Sequence, residues 1–240
     1  MTASSLPPLI AIIGCDGSGK STVTEALRAW MAERRPTVIC HLGKQSGNIG
    51  RRLARLPLVG GKLDKSIHGK AQKAQTEKGP GLLAALVIYA FSMRRVRRFR
   101  RMMRLRRAGN AIIADRFPQL GVPGPMDGLG LANARGAGIV GWLGRRERHY
   151  YAWMVANRPD LVIRLNVSLE VAMARKPDHR FSSLARKIAD VPRLAFEGAP
   201  IVEIDAEQPL ETVLGKAKAA IAERLGLASG AHVEDERAPA

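Results

Sequence analysis

The run Gly14-Cys15-Asp16-Gly17-Ser18-Gly19-Lys20-Ser21 carries the most specific chemistry in the sequence. It fits G-x-x-x-x-G-K-[ST], a spacing whose glycines leave room for backbone N–H groups to turn inward on phosphate oxygens. A helix starting near Lys20 presents its positive dipole end to the same oxygens. Lys20 would then reach the terminal phosphates of a nucleoside triphosphate, and the Ser21 hydroxyl would ligate Mg2+. With Thr22, the nucleotide-contacting set runs from Gly14 through Asp16, Gly17, Ser18, Gly19, Lys20 and Ser21. ATP and Mg2+ are the cofactors expected from this pattern. A glycine turn without a nucleotide is the plainer reading of eight residues alone, so the flanking elements decide.

Those elements fit. Residues 9–13, Leu-Ile-Ala-Ile-Ile, are an unbroken apolar run of the kind buried on both faces of a parallel sheet. A helical stretch from about 20 to 35 follows, stopped by Pro36. Strands are expected at 37–42, 111–115, 161–166 and 201–204. Helices are expected at 81–108, closed by Gly109-Asn110, at about 138–157, after the N-cap Ser168, and from Pro209 onward. Residues 117–130 hold three prolines and four glycines and read as a loop. Five strands alternating with helices predict an α/β fold with a parallel sheet wrapped on both faces. The third strand ends in Asp115, the position of an acid that holds Mg2+ directly or through water; a capping or turn carboxylate is the other reading. Arg116 follows it and is in reach of a substrate or a transferring phosphate.

The chain has 240 residues, 46% of them apolar and 25% charged, and a formal net charge of +18. That is the composition of a globular protein with anionic partners. The excess is localised. Residues 44–78 carry nine basic side chains and two acids, and residues 79–108 carry nine arginines and no acid, so these segments hold all but two of the surplus charges. The arginines run from Arg94 to Arg107, and at 100° per residue most fall opposite an apolar stripe of Ile88, Phe91, Val96, Phe99 and Met103. A solvated helix face explains most of them. Arg95 falls within the stripe, and a buried arginine needs an anion, which makes Arg95 or its neighbour Arg94 a site candidate.

Two cysteines, Cys15 and Cys40, cannot build a disulfide framework and read as a reduced, cytoplasmic chain. Cys15 sits near a helix N-terminus, which lowers a thiol pKa. Residues 1–8 lack a basic n-region. The longest apolar stretch, residues 82–91, is half of the ~20 residues that span a bilayer.

The chain lacks Asn-Lys-x-Asp, Leu-Ser-Gly-Gly-Gln and a lysine ahead of the first P-loop glycine. These absences weigh against GTPase switches, ABC ATPases and ParA-type ATPases, and the small size, the basic insert between the second and third strands and the basic segment after the fourth fit a small-molecule kinase better. Here the sequence resembles the thymidylate kinase family of nucleoside monophosphate kinases. The resemblance rests on the P-loop, on Asp115-Arg116-Phe117, on the spacing of Arg94 from Asp115, on residues 159–175, and on Ile204-Asp205-Ala206. It implies a three-layer P-loop kinase fold in one domain over residues 1–227. That domain would carry a basic acceptor-side insert at about 43–80 and a lid at about 176–187, followed by a disordered tail at 228–240.

The resemblance also implies roles. Asp16 would bond a hydroxyl of the acceptor's sugar, and Arg94, with Arg95, Asp115 and Arg116 beside it, would hold the acceptor. Position 17 is Gly rather than Arg, so the arginine neutralising the transferring phosphoryl group is expected from the lid. Arg175, Arg180 and Arg186 are the candidates, with Lys176 and Lys187 behind them. Departures from the family lie where a base would be read: Cys40-His41-Leu42-Gly43 replaces a Glu-Pro pair, Pro118-Gln119-Leu120-Gly121 replaces Ser-x-x-Ala-Tyr-Gln, and Asn166 replaces an aspartate. The expected activity is ATP-dependent phosphoryl transfer to a phosphorylated small molecule, dTMP or a related nucleoside monophosphate, in a chain that allows a homodimer. The alternatives are a kinase of a neutral nucleoside or sugar hydroxyl, for which His41 could serve as base, and a nucleotide-dependent protein whose basic face binds nucleic acid or an acidic membrane.

Overall fold

A computed structural model describes residues 6–43 and 79–226. The basic insert, apart from its ends, and the tail from residue 228 lie outside the described residues. The described strands are β1 Leu9–Gly14, β2 Thr37–His41, β3 Ala111–Asp115, β4 Leu161–Asn166 and β5 Ile201–Asp205. The described helices are α1 Lys20–Ala32, α2 Leu82–Arg107, α3 Ile139–Ala156, α4 Leu169–Arg175, α5 Phe181–Asp190 and α6 Leu210–Leu225. All five strands are parallel, in the order β2-β3-β1-β4-β5.

The apolar run at β1 is unbroken because both of its faces are covered. Leu9, Ala11 and Ile13 join Val96, Phe99 and Met102 of α2 and Tyr151 and Met154 of α3 on one side. Ile10 and Ile12 join Val23 and Leu27 of α1 and Val213 and Ile221 of α6 on the other. Every residue of β1 is buried. Helices thus lie on both faces of the sheet, the three-layer arrangement expected of these elements. The sheet sets the site: Ile12 of β1 and His41 of β2 both stand in register with Asp115 of β3, so the P-loop, Asp115 and His41 share the C-terminal edge.

Two elements differ from expectation. The first helix stops at Ala32, short of Arg35 and four residues before Pro36. The stretch 176–187 is not merely polar and basic: α5 spans most of it, with Leu184 buried and Ile188 packed one turn on against the core. The apolar spacing Phe181-Leu184-Ala185-Ile188 is helical, and the two basic side chains between them, Arg186 and Lys187, hide it.

The Pro/Gly-rich loop 117–130 is tied down rather than loose. Gln119 accepts from the Val122 amide (2.7 Å) and donates to the carbonyls of Val122 (2.6 Å) and Met126 (2.9 Å). Glu147 of α3, fully buried, accepts from the amides of Gly130 (3.2 Å) and Leu131 (2.7 Å) and from Ser92 of α2. A buried carboxylate is tolerated because these donors replace its water.

Candidate functional site

The P-loop leaves β1 at Gly14 and enters α1 at Lys20. Its glycines are required by contact. A Cβ at Gly14 would lie 2.8 Å from the Leu165 carbonyl oxygen, and one at Gly17, whose φ is +89°, would lie 2.9 Å from the carbonyl oxygen of Ala172 in α4. The helix is capped by Gly19 in the left-handed region, with no side chain on its first-turn amides, so those donors are left for a ligand. Ser18 closes the bend by donating to the Cys15 carbonyl (2.9 Å).

Lys20 is nearly fully buried, and its ammonium donates to the carbonyl oxygen of Cys15. Burial, and then the nearby Arg116 charge, push its pKa down to about 8. Among the described residues it makes no ion pair. A buried cation without a carboxylate is expensive, and an anion placed beside it would relieve the cost. The cradle therefore fits a phosphate chain.

A cleft of about 430 Å³ opens here, lined by Asp16, Gly17, Gly19, Lys20, Ser21, Thr22, Asp115, Arg116, Arg175, Lys176 and His179. The structure thus gathers most of the residues singled out in the sequence. Ser21 and Asp115 line the same cleft, a hydroxyl and a carboxylate of the hard-oxygen chemistry that suits Mg2+. Asp115 Oδ2 also lies 2.9 Å from Nδ1 of His41, so His41 braces this carboxylate instead of lining the cleft.

Asp16 is the hub of the charged groups. Its Oδ1 accepts from Arg116 (3.0 Å), and its Oδ2 pairs with Lys187 and lies 3.7 Å from His179 Nε2. Burial raises its pKa, but the bond and charge of Lys187, with Arg116, outweigh that and hold the carboxyl at about 2. Arg116, in the left-handed region at φ 70°, also reaches Asp127 Oδ2 at 3.6 Å. A Cβ at position 43 would sit 2.9 Å from Arg116 Cδ, so Gly43 is the residue that lets this side chain through.

Arg95 is where expectation needs correcting. It is buried, as the apolar stripe requires, yet its anion is internal: its guanidinium pairs with Asp127 and donates to the carbonyls of Leu42 (2.8 Å) and Asp127 (2.9 Å) and to the Tyr151 hydroxyl (2.8 Å). With those donors spent, Arg95 positions the end of β2 and the 117–130 loop and does not face the cleft. Arg94, the residue before it and 100° round the helix, is exposed. Of the lid candidates, Arg175 comes closest to the P-loop, donating to the carbonyls of Gly17 (3.2 Å) and Ala206 (3.0 Å). Lys187 reaches Asp16, while Arg180 caps α5 at an exposed position outside the cleft lining. Cys15 also departs from expectation: it is buried, and burial pushes its thiol pKa up despite the adjacent helix start.

Asp127 is the site residue that sequence reasoning missed. The signal was present, since Asp127 is the only carboxylate between Arg116 and Ile139 and Arg95 demanded one. No spacing rule reveals which loop acid a buried arginine will find.

No family model matches the chain. It is 40% identical over 225 residues to the Escherichia coli protein named "Uncharacterized ATP-binding protein YghR", covering 90% of this chain and 87% of that protein. It is 42% identical over 210 residues to "Uncharacterized ATP-binding protein YghS" of the same organism, covering 86% and 89%. At a greater distance, it is 28% identical over 203 residues to a "Probable thymidylate kinase" of Pyrobaculum aerophilum, covering 81% and 86%.

Proposed function

The chain belongs to the family of YghR and YghS, and on that premise we propose that it is an ATP- and Mg2+-dependent kinase. It would transfer the γ-phosphoryl group to a phosphorylated small molecule, a nucleoside monophosphate such as dTMP or a close relative. The observation that carries this reading is one cleft in which Lys20, Asp115, Arg116 and Arg175 converge on the P-loop. The names of the relatives support the nucleotide, and the similarity to the archaeal thymidylate kinase supports the transfer.

In this reading the amides of the P-loop and the Lys20 ammonium hold the triphosphate. The Lys20 charge is poorly compensated in the free protein, so it interacts more strongly as negative charge builds between the β- and γ-phosphates. Ser21 and Asp115 would hold Mg2+, which supplies charge neutralisation on the transferred group. Arg175 enters from the end of α4 and Arg116 from the end of β3, and both line the cleft at the P-loop. An ionised oxygen of the acceptor's phosphate attacks the γ-phosphorus as the bond to the β,γ-bridging oxygen breaks and ADP departs. The attacking oxygen carries no proton, so no general base is required, and His41 is left free to brace Asp115. Arg94 is the residue proposed for the acceptor's phosphate.

Incubation with ATP, Mg2+ and a panel of nucleoside monophosphates, nucleosides and sugars tests this. Phosphorylation of one or more monophosphates is expected, with Arg94→Ala raising the acceptor KM more than the ATP KM. Acceleration only by unphosphorylated acceptors would replace this reading with a hydroxyl kinase.

A further inference from the structure

The arginines that the cleft does not use form a surface. Along α2, five exposed arginines between Arg97 and Arg107 fall in a single sector of about 120° at 100° per residue, and Leu82, Leu83 and Leu86 fall in that same sector about three to four turns nearer the helix start. All three leucines are exposed, Leu83 at 73%. Helix α3 packs beside α2 and extends both features. Ile139 (61%) and Trp142 (49%) are exposed, and the Trp142 ring lies 6.5 Å from Tyr89 of α2, about one turn from Leu86. Arg145 and Arg146, each within about 60° of Trp142 round the helix, add two exposed cations. The two helices hold one carboxylate between them, Glu147, and it is buried. The face therefore shows seven arginines and an apolar end, and neither helix gives it a carboxylate.

We propose that this α2–α3 face docks on an anionic lipid bilayer, the leucine and Trp142 end entering the acyl boundary and the arginines lying on the headgroup phosphates. The chemistry separates the occupants. A second copy of the chain would bring the same uncompensated arginines against these. A nucleic acid would use the charge but gain nothing from Leu83 or Ile139. The rings on which bases would stack are also taken, since Arg146 sits over Trp142 (5.5 Å) and Tyr150 (5.4 Å) and Arg100 over Tyr150 and Trp153 (both 5.8 Å). Aliphatic groups, an interfacial tryptophan and a dense arginine field meet their complements together only at an acidic membrane surface. No described helix is long and apolar enough to cross a membrane, so the contact would be peripheral.

Flotation of the full chain with phosphatidylcholine vesicles, with and without phosphatidylglycerol, tests the proposal. Binding is expected only with the anionic lipid and should weaken as salt rises. Reversing Arg97, Arg101 and Arg104 to Glu should lower partitioning roughly a hundredfold or more, and Leu83→Glu with Trp142→Ala about tenfold. Circular dichroism and urea midpoints show that both variants fold. Three results overturn it: no recruitment to anionic vesicles, recruitment that both variants retain, or a stable dimer in gel filtration that Leu83→Glu dissociates. Preferential capture by an oligonucleotide competitor does so as well.

Discussion

The cleft and the α2–α3 face are both rich in cations, and they handle charge in opposite ways. In and beneath the cleft each buried cation is answered: Arg95 by Asp127, Arg116 by Asp16 and Asp127, Lys187 by Asp16. On the face seven exposed arginines share no carboxylate from their own helices. Water explains the difference. An exposed guanidinium keeps its hydration and needs no partner, whereas a buried one must be paired or it destabilises the fold. Lys20 is the exception inside the cleft, buried on a backbone carbonyl with no ion pair among the described residues, and that exception marks the place where a ligand's charge belongs.

The contrast can be broken most severely at that exception. Lys20→Ala should lower turnover by about a thousandfold or more, because the group that meets the developing charge is gone, while the urea midpoint holds or rises as an unpaired buried cation is removed. Normal turnover would sink the phosphate cradle.

Cutting one of the internal pairs comes next. Asp127→Ala leaves Arg95 and Arg116 without their shared carboxylate and should cost about 3–5 kcal/mol in denaturant unfolding. A loss below about 1 kcal/mol would mean that Arg95 finds another anion.

Titration gives a smaller and more diagnostic effect. Asp16 has a folded pKa of about 2, below its ordinary value of 3.8. Its contribution to stability is therefore complete above about pH 4 and is lost as the pH falls toward 2. Lys20 is lowered from 10.5 to about 8. Between those values the unfolded chain binds the extra proton, so this residue makes stability rise with pH from about 8 to 10.5. Urea midpoints across both windows should lose the acid limb in Asp16→Asn and the alkaline limb in Lys20→Met. ATP binding should also draw a proton onto Lys20 near pH 8, which calorimetry in buffers of different ionisation enthalpy would detect.

Single arginines of the face should matter least to the fold. Arg101→Glu is expected to shift stability by no more than about 0.5 kcal/mol; a much larger loss would show a partner inside the molecule.

Much of this was legible in the sequence because the signals are local. The run at 9–13, the P-loop glycines, the pause at Gly109-Asn110 before the third strand, and Ser168, whose hydroxyl accepts from the Val171 amide at 3.3 Å, each act within a few residues of themselves. Helix α5 was also written there, but Arg186 and Lys187 masked its apolar spacing. Arg95 was half legible. Its position in the stripe foretold burial, but the identity of its anion depended on a loop about thirty residues away.

By itself, then, the sequence determined the alternation of strands and helices, the phosphate-gripping bend, and the concentration of cations in one third of the chain, since periodicity and composition are properties of neighbours along the backbone. Only the tertiary structure decided the strand order, the pairing of Arg95 with Asp127, the meeting of Lys187 with Asp16, and the placing of His41 against Asp115. Those contacts join residues separated by 32 to 171 positions. Which buried charge meets which partner is set when the layers close around the sheet and water leaves.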